Sequence, residues 1–247
     1  MRTIDLNADV GEGHDDLPIF AFVSSVSVAC GAHAGDDETM ERSVAEAARL
    51  GVVVGAHPSY PDREGYGRRR IAISDDDLRA SLGEQLAALA AVASRHRVRL
   101  AHVKPHGALY NEAAGDEALS ALILEAIKRH DPSLAVVALA GSTLISVAER
   151  SGVRAIAEGF ADRRYLADGR LAPREVDGAL IVEPAAAAEQ AARLAIGEPV
   201  ESLDGSDVRV GVETICLHAD TPDAARIAGA VRGELERRGI RIAPASA

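Results

Sequence analysis

Ile4-Asp5-Leu6-Asn7-Ala8-Asp9, close to the start of the chain, decides the reading of the fold. Apolar and polar residues alternate strictly, so a strand built from them turns Asp5, Asn7 and Asp9 to one side and Ile4, Leu6 and Ala8 to the other. Polar side chains along one face of a core strand are costly unless they bind something or close internal hydrogen bonds. Further along, short β-branched or Ala-rich runs alternate with longer helical patterns. Strands are expected over 3–8, 25–29, 52–56, 99–103, 135–140, 155–158 and 214–218. Helices are expected over 38–50, 75–95, 116–129, 142–151, 184–196 and 222–238. Ser74 before three aspartates is a helix start, and Gly51 and Gly239 stand where helices should stop.

Repeated strand–helix alternation implies parallel strands joined by right-handed crossovers. About seven strands favour closure, so the expected fold is α/β: an irregular (β/α)7 TIM-like barrel forming a single domain over 1–247. Residues 178–212 break the pattern. Residues 178–183 read as a further strand, and Leu203-Asp204-Gly205-Ser206 reads as the tip of a small β-hairpin decoration near 198–212.

The chain has 247 residues, 47% of them hydrophobic and 26% charged, which suits one substantial core. A formal charge of −11 argues against nucleic acid or an anionic membrane surface as partner. Only 3% of residues are aromatic, which disfavours a base-stacking surface. Two cysteines, Cys30 and Cys216, lack any cysteine-hydrolase signature and are expected as packed thiols in a reducing compartment. With no leader-like segment before Asp5 and no long apolar run, a cytoplasmic protein is expected.

The chemistry-bearing residues follow the expected strands. The second strand runs into Ala29-Cys30-Gly31-Ala32-His33-Ala34-Gly35-Asp36, where Asp36 is as readily a helix cap as a catalytic group. The third runs into Gly55-Ala56-His57-Pro58-Ser59-Tyr60-Pro61-Asp62, then Gly65-Tyr66-Gly67-Arg68. In the basic run Arg68 to Arg70, Arg68 is the candidate for holding a carboxylate or phosphate. The fourth runs into Val103-Lys104-Pro105-His106-Gly107-Ala108-Leu109-Tyr110. Lys104 at the end of an apolar strand is either a charge partner for Asp5 or Asp9 or an anion binder, and His102 lies on the inner face or in the core. The sixth runs into Glu158-Gly159-Phe160-Ala161-Asp162-Arg163-Arg164-Tyr165, and the last into His218-Ala219-Asp220-Thr221, where Asp220 and Thr221 can cap the final helix. Four of the eight histidines, His33, His57, His106 and His218, thus follow strands, and with Asp5, Asp9 and Lys104 they describe the mouth of a barrel. Such a set moves protons near neutral pH. It can also hold a divalent metal on Asp9, His33, His57 or His106, although no short HxxxH or CxxC signature is present.

Taken in order, these motifs resemble the LamB/YcsF family, and they cover nearly the whole chain. The resemblance implies a seven-stranded barrel of the glycoside hydrolase/deacetylase type. It implies the A-component role in a 5-oxoprolinase, which opens 5-oxoproline to glutamate coupled to hydrolysis of ATP to ADP and phosphate. ATP, with Mg2+, would be shared with partner subunits B and C, and this chain has no Walker-type loop of its own. Catalytic roles are expected for Asp5, Asp9, His33, His57, Lys104 and His106. Substrate contacts are expected for Asn7, Arg68, Tyr110, Glu158, Asp162, Arg163 and His218. Ala8, Ser27, Ala32 and Ala219 depart from the usual family residues, and 13–24 is shorter than usual; Ala32 and the short loop would enlarge the pocket. Two other readings stay open: a metal-dependent deacetylase or amidohydrolase acting alone, and a non-catalytic protein that carries the lactam to its partners.

Overall fold

The computed structural model describes every residue except 1, 14, 220, 222, 246 and 247. Seven parallel strands close a barrel: β1 (Thr3–Val10), β2 (Ser25–Ala29), β3 (Val53–His57), β4 (Leu100–Val103), β5 (Ala135–Leu139), β6 (Ala155–Phe160) and, after a short hairpin, β9 (Thr214–His218). Closure comes from β1, which pairs β2 on one side (Asn7 with Ser25) and β9 on the other (Asp5 with Thr214, Asp9 with His218). The hairpin is β7 (Val200–Glu201) against β8 (Asp207–Val208), antiparallel, in the expected place. Strand β10 (Arg241–Ile242) adds to the start of β1 outside the closed ring.

The helices α1 (Asp37–Leu50), α2 (Asp75–Arg95), α4 (Glu117–His130), α5 (Thr143–Arg150), α6 (Pro184–Ile196) and α7 (Ala224–Arg237) connect the strands. Their starts follow the sequence signals. Ser74, Asp116 and Ser142 accept from the backbone N–H three residues on, and Gly51 ends α1 in the left-handed conformation. Asp36 does the same for α1, accepting from the Thr39 N–H at 2.8 Å, so it is a cap and not part of the site. Two elements lie outside the expected pattern: a 3-10 turn over Leu17–Ala21, and α3 (Gly107–Ala113), too short for a periodic pattern to announce it. Residues 178–183 do not form a strand. They touch the rest through a bridge between Leu180 and Arg163 and the Ile181 N–H to the Asp162 carbonyl, because the segment is a loop laid across the barrel mouth.

The core lies between barrel and helices, where Ile4, Leu6, Ala8 and Val10 of β1 meet helix residues such as Leu82, Leu86 and Leu89. Inside the barrel the low end is apolar: Ala135, Val137 and Ile156 form a separate small cluster with Ala245. Above it the interior is polar. Gly55 is required there. A Cβ at that position would stand 2.2 Å from the ring of His102, whose Nε2 lies 3.2 Å from Ser27 Oγ across the lumen. His102 is therefore an interior packing residue of the barrel.

Candidate active site

Asp5, Asn7 and Asp9 share the inner face of β1, as the alternation requires, but at different depths. A strand rises about 3.3 Å per residue, so Asp5 lies roughly 13 Å below Asp9. Asp5 accepts hydrogen bonds from Ser24 (2.6 Å), Ser25 (2.8 and 3.0 Å) and Thr214 (2.7 Å), and burial pushes its carboxyl up. It anchors the strands and does not line the cavity. Asn7, one step higher, donates to Thr214 at 2.7 Å and to Glu158 at 3.0 Å.

Lys104 ties this column to the site above. Its Nζ lies 2.9 Å from Asp9 Oδ1, 2.7 Å from Glu158 Oε1, 3.4 Å from Asn7 Oδ1 and 3.2 Å from Cys216 Sγ, with the side chain 3% exposed. Burial alone would lower the ammonium, but the charges of Asp9, Cys216 and Glu158 hold it well above the usual lysine range. Glu158 is fully buried, and burial pushes its carboxyl up against the pull of Lys104; it also accepts from Tyr110 at 2.6 Å. For this pair the ammonium is the charged partner, and Asp9 is its ionised counter-ion. Burial would raise Asp9, yet His57 and Lys104 together hold it at about 2.

Four strands deliver a second cluster beside this one. Glu12 follows β1, His33 follows β2, His57 ends β3 and His106 caps α3 after β4. Glu12 Oε1 lies 3.1 Å from His33 Nε2, 3.6 Å from His57 Nε2 and 3.0 Å from His106 Nδ1. His57 Nε2 and His106 Nδ1 are 3.0 Å apart, and the rings of His33 and His106 stack at 3.8 Å. Burial lowers His33, and it brings His57 to about 3, so His57 is neutral at neutral pH. The loop after β3 reaches the cluster because Gly67, with φ +64, has no Cβ; one would meet His33 Cβ at 2.9 Å and His106 Cδ2 at 3.0 Å. That loop also supplies Ser59 to His33 and the Tyr66 carbonyl to His106.

On the opposite wall His218, the last residue of β9, turns Nδ1 to Asp162 at 2.9 Å. Asp162 also accepts from the His218 backbone N–H and the Thr221 hydroxyl, each at 3.1 Å. Burial would raise Asp162, but His218 brings it below the usual aspartate range. Thr221 thus serves Asp162 and not the helix start; Asp220 lies outside the described residues.

These groups open on one cavity of about 440 Å³, lined by Asp9, Glu12, His57, Lys104, His106, Tyr110, Phe160, His218 and others. Arg68, Arg163, Arg170 and Arg174 line it too, so the wall is locally basic on an acidic chain. Of the basic run, Arg69 pairs with Asp62 at 2.9 Å and Arg70 reaches Glu112 at 3.5 Å, which leaves Arg68 as the member at the cavity. Arg163 donates to the Ala172 carbonyl at 2.6 Å. His33 lies behind the cavity wall in the cluster, while Asn7, Glu158 and Asp162 sit beneath or behind the groups that line it. Ala32 faces a separate surface depression, so its small size does not enlarge the cavity. Glu12 is the site residue that the sequence pattern does not reveal. It follows Gly11, whose φ of +77 turns the chain, and strand alternation no longer says where it points.

A family profile described as LamB/YcsF matches residues 4–247. The chain belongs to the LamB/YcsF family. It is 45% identical over 248 residues to the 5-oxoprolinase A component of Chloroflexus aggregans, covering 98% of each chain. It is 46% identical to the corresponding A component of Methylococcus capsulatus, covering 98% of this chain and 95% of that one. Among solved structures it superposes on the lactam utilization protein from Thermus thermophilus with a TM-score of 0.92 at 40% identity, covering 98% and 99% of the two chains. A putative cellobiose-phosphate cleavage protein from Enterococcus faecalis V583 shares the fold at a TM-score of 0.55 and 13% identity, covering 99% of this chain and 97% of that one. The expected barrel is thus the fold of this family member. Its relatives' names place it in 5-oxoproline utilization with a hydrolase role and imply an enzyme of more than one subunit. Among the described residues, no helix is long and apolar enough to cross a membrane.

Proposed function

We propose that this chain is the component in which 5-oxoproline is bound and opened to glutamate, with ATP hydrolysed to ADP and phosphate, in a cytoplasmic complex with subunits B and C. One observation carries the reading: carboxylates, imidazoles and an ammonium from five strand ends line a single small cavity with a basic rim.

A five-membered lactam is an unstrained amide and a poor electrophile. Transfer of the terminal phosphoryl group of ATP to its oxygen releases ADP and makes the ring carbon open to water. Addition of water, then protonation of the ring nitrogen and cleavage of the C–N bond, leaves a γ-glutamyl phosphate. A second water releases phosphate and glutamate. Asp9 and Glu12, on the same wall as His57 and His106, take the proton from water. Lys104 stabilises negative charge on the lactam oxygen, and its location between Asp9 and Glu158 fixes it before substrate arrives. His218, held through Nδ1 by Asp162, presents its other nitrogen to the ring nitrogen as the proton donor. Arg68 takes the substrate carboxylate at the rim. The phosphoryl transfer itself is shared with the partners and Mg2+.

The test is turnover of 5-oxoproline and ATP by this chain alone and with subunits B and C. Glutamate and phosphate released in equal amounts by the full set support the assignment; a full set that releases no glutamate refutes it.

A further inference from the structure

The three imidazoles around Glu12 are each locked in one tautomer by a partner on their far side. His57 Nδ1 lies 2.7 Å from the Lys104 carbonyl, and His106 Nε2 lies 3.0 Å from the Tyr66 carbonyl; a carbonyl can only accept, so both nitrogens carry the proton. His33 Nδ1 lies 3.0 Å from Ser59 Oγ, whose own hydrogen goes to the Tyr60 carbonyl at 2.7 Å, so Ser59 also accepts. The remaining nitrogens, His33 Nε2, His57 Nε2 and His106 Nδ1, are therefore lone-pair atoms. All three point at one carboxylate oxygen, Glu12 Oε1. Four lone-pair atoms facing one another inside a protein repel unless a positive charge sits among them.

The spacing fits a metal ion. Bonds of about 2.1 Å in a tetrahedron put neighbouring ligand atoms roughly 3.4 Å apart. The separations here are 3.0, 3.0, 3.1 and 3.6 Å, and all four ligand atoms lie within 4.8 Å of one another. Backbone carbonyls and a hydroxyl accepting the outer N–H groups are the supports that orient metal-binding histidines. Glu12, His57 and His106 also line the cavity, which supplies an entry path. A second group, Asp9, Cys216 and His218, is comparably tight, but Lys104 Nζ already sits 2.9 Å from Asp9 and 3.2 Å from Cys216. An ammonium fills that place.

We propose that Glu12, His33, His57 and His106 form a binding site for a divalent transition-metal ion of the zinc class, held by three imidazole nitrogens and one carboxylate oxygen. The donor set excludes calcium and magnesium as preferred occupants, since both favour oxygen ligands. Asp9, offered by the sequence as a ligand, belongs to Lys104 instead. The metal site shares the cavity of the lactam reading and does not rest on it, because metal content is read without turnover.

The test uses the full chain without a histidine tag, stripped by a chelator and then exposed to Zn2+ or Co2+. One equivalent per chain should survive gel filtration by elemental analysis, and bound Co2+ should show the visible bands of a four-coordinate ion. Glu12→Gln, nearly the same shape, and His57→Ala should each weaken binding beyond about 100-fold, and Ser59→Ala by roughly 10-fold. Far-UV circular dichroism checks that the variants fold; Glu12→Gln keeps the test decisive if His57→Ala does not. Failure of the folded wild-type chain to retain either ion overturns the proposal. So does retention undiminished in Glu12→Gln, or abolished by Asp9→Asn alone, which would put the ion on the other group.

Discussion

Replacing Lys104 by Met removes one charge from the middle of the barrel while keeping most of its apolar stem. The ammonium stands 2.9 Å from Asp9 and 2.7 Å from Glu158, and all three side chains are at most 10% exposed. At an effective dielectric of 20, each such pair attracts by about 6 kcal/mol. The desolvation of the ammonium, which the variant no longer suffers, takes back several kcal/mol of that sum. What remains is the penalty of leaving carboxylates buried beside no cation, about 3–5 kcal/mol. The chain has no tryptophan, so urea unfolding is best followed by far-UV circular dichroism of the helices. The pH dependence has a fixed sign. Asp9 is held at about 2, below its ordinary 3.8, so its contribution is present above pH 3.8 and is lost as pH falls toward 2. The variant loses much of that contribution, so its deficit is greatest at neutral pH and narrows below about pH 4. Lys104→Met combined with Asp9→Asn should recover part of the loss. A deficit under about 1 kcal/mol at pH 7, or one that widens on acidification, would show that the ammonium is not the counter-ion of this site.

Gly55→Ala drives a methyl group into the His102 ring, 2.2 Å away, and should cost about 1–3 kcal/mol in thermal or urea unfolding; His102→Ala in the same chain should relieve it, and a neutral Gly55→Ala would contradict the packing described. Asp162→Asn keeps the shape but weakens the orientation of His218, so kcat in the reconstituted enzyme should fall ~10²–10⁴-fold with KM little changed. Asp162 is held below its ordinary value, so the wild-type chain loses stability as pH drops below 3.8, and Asp162→Asn should show a flatter acid limb. Burial pushes the Cys30 thiol up to about 12 and raises Cys216 well above the usual range. A thiol reagent at pH 8 should therefore label neither cysteine in the native chain and both in denaturant; rapid labelling of one in the native state would place that thiol at the surface.

The strands were legible because period-two alternation and β-branched runs mark a buried sheet directly, and Thr214 to His218 and Ser25 to Ala29 have the expected bounds. The same alternation puts Asp5, Asn7 and Asp9 on one face but carries no information on their height. Depth depends on strand register, which lies in pairings such as Asp5 with Thr214 and Asp9 with His218. Asp5 thus reads as a rim residue in the sequence while it anchors the interior. Glu12 escapes for the converse reason: it lies past a glycine turn, where no periodicity aims a side chain, and only the meeting of four loops shows its place. A Gly-Glu pair closing a polar-faced strand is the one local signal. Helix α3 has seven residues and no repeating apolar stripe, so nothing in 107–113 separates it from the loop it interrupts. Residues 178–183 are apolar enough for a strand, but strands need partners, and among the described residues the segment has only a single bridge.

The most direct test is a crystal structure of this chain with 5-oxoproline bound. The lactam is expected inside the cavity, its ring carbonyl toward Lys104 and its carboxylate toward Arg68, with Asp9 and Glu12 on the face from which water attacks. A lactam seated anywhere else, or a saturated crystal whose cavity holds only solvent, would contradict that placement and the chemistry built on it.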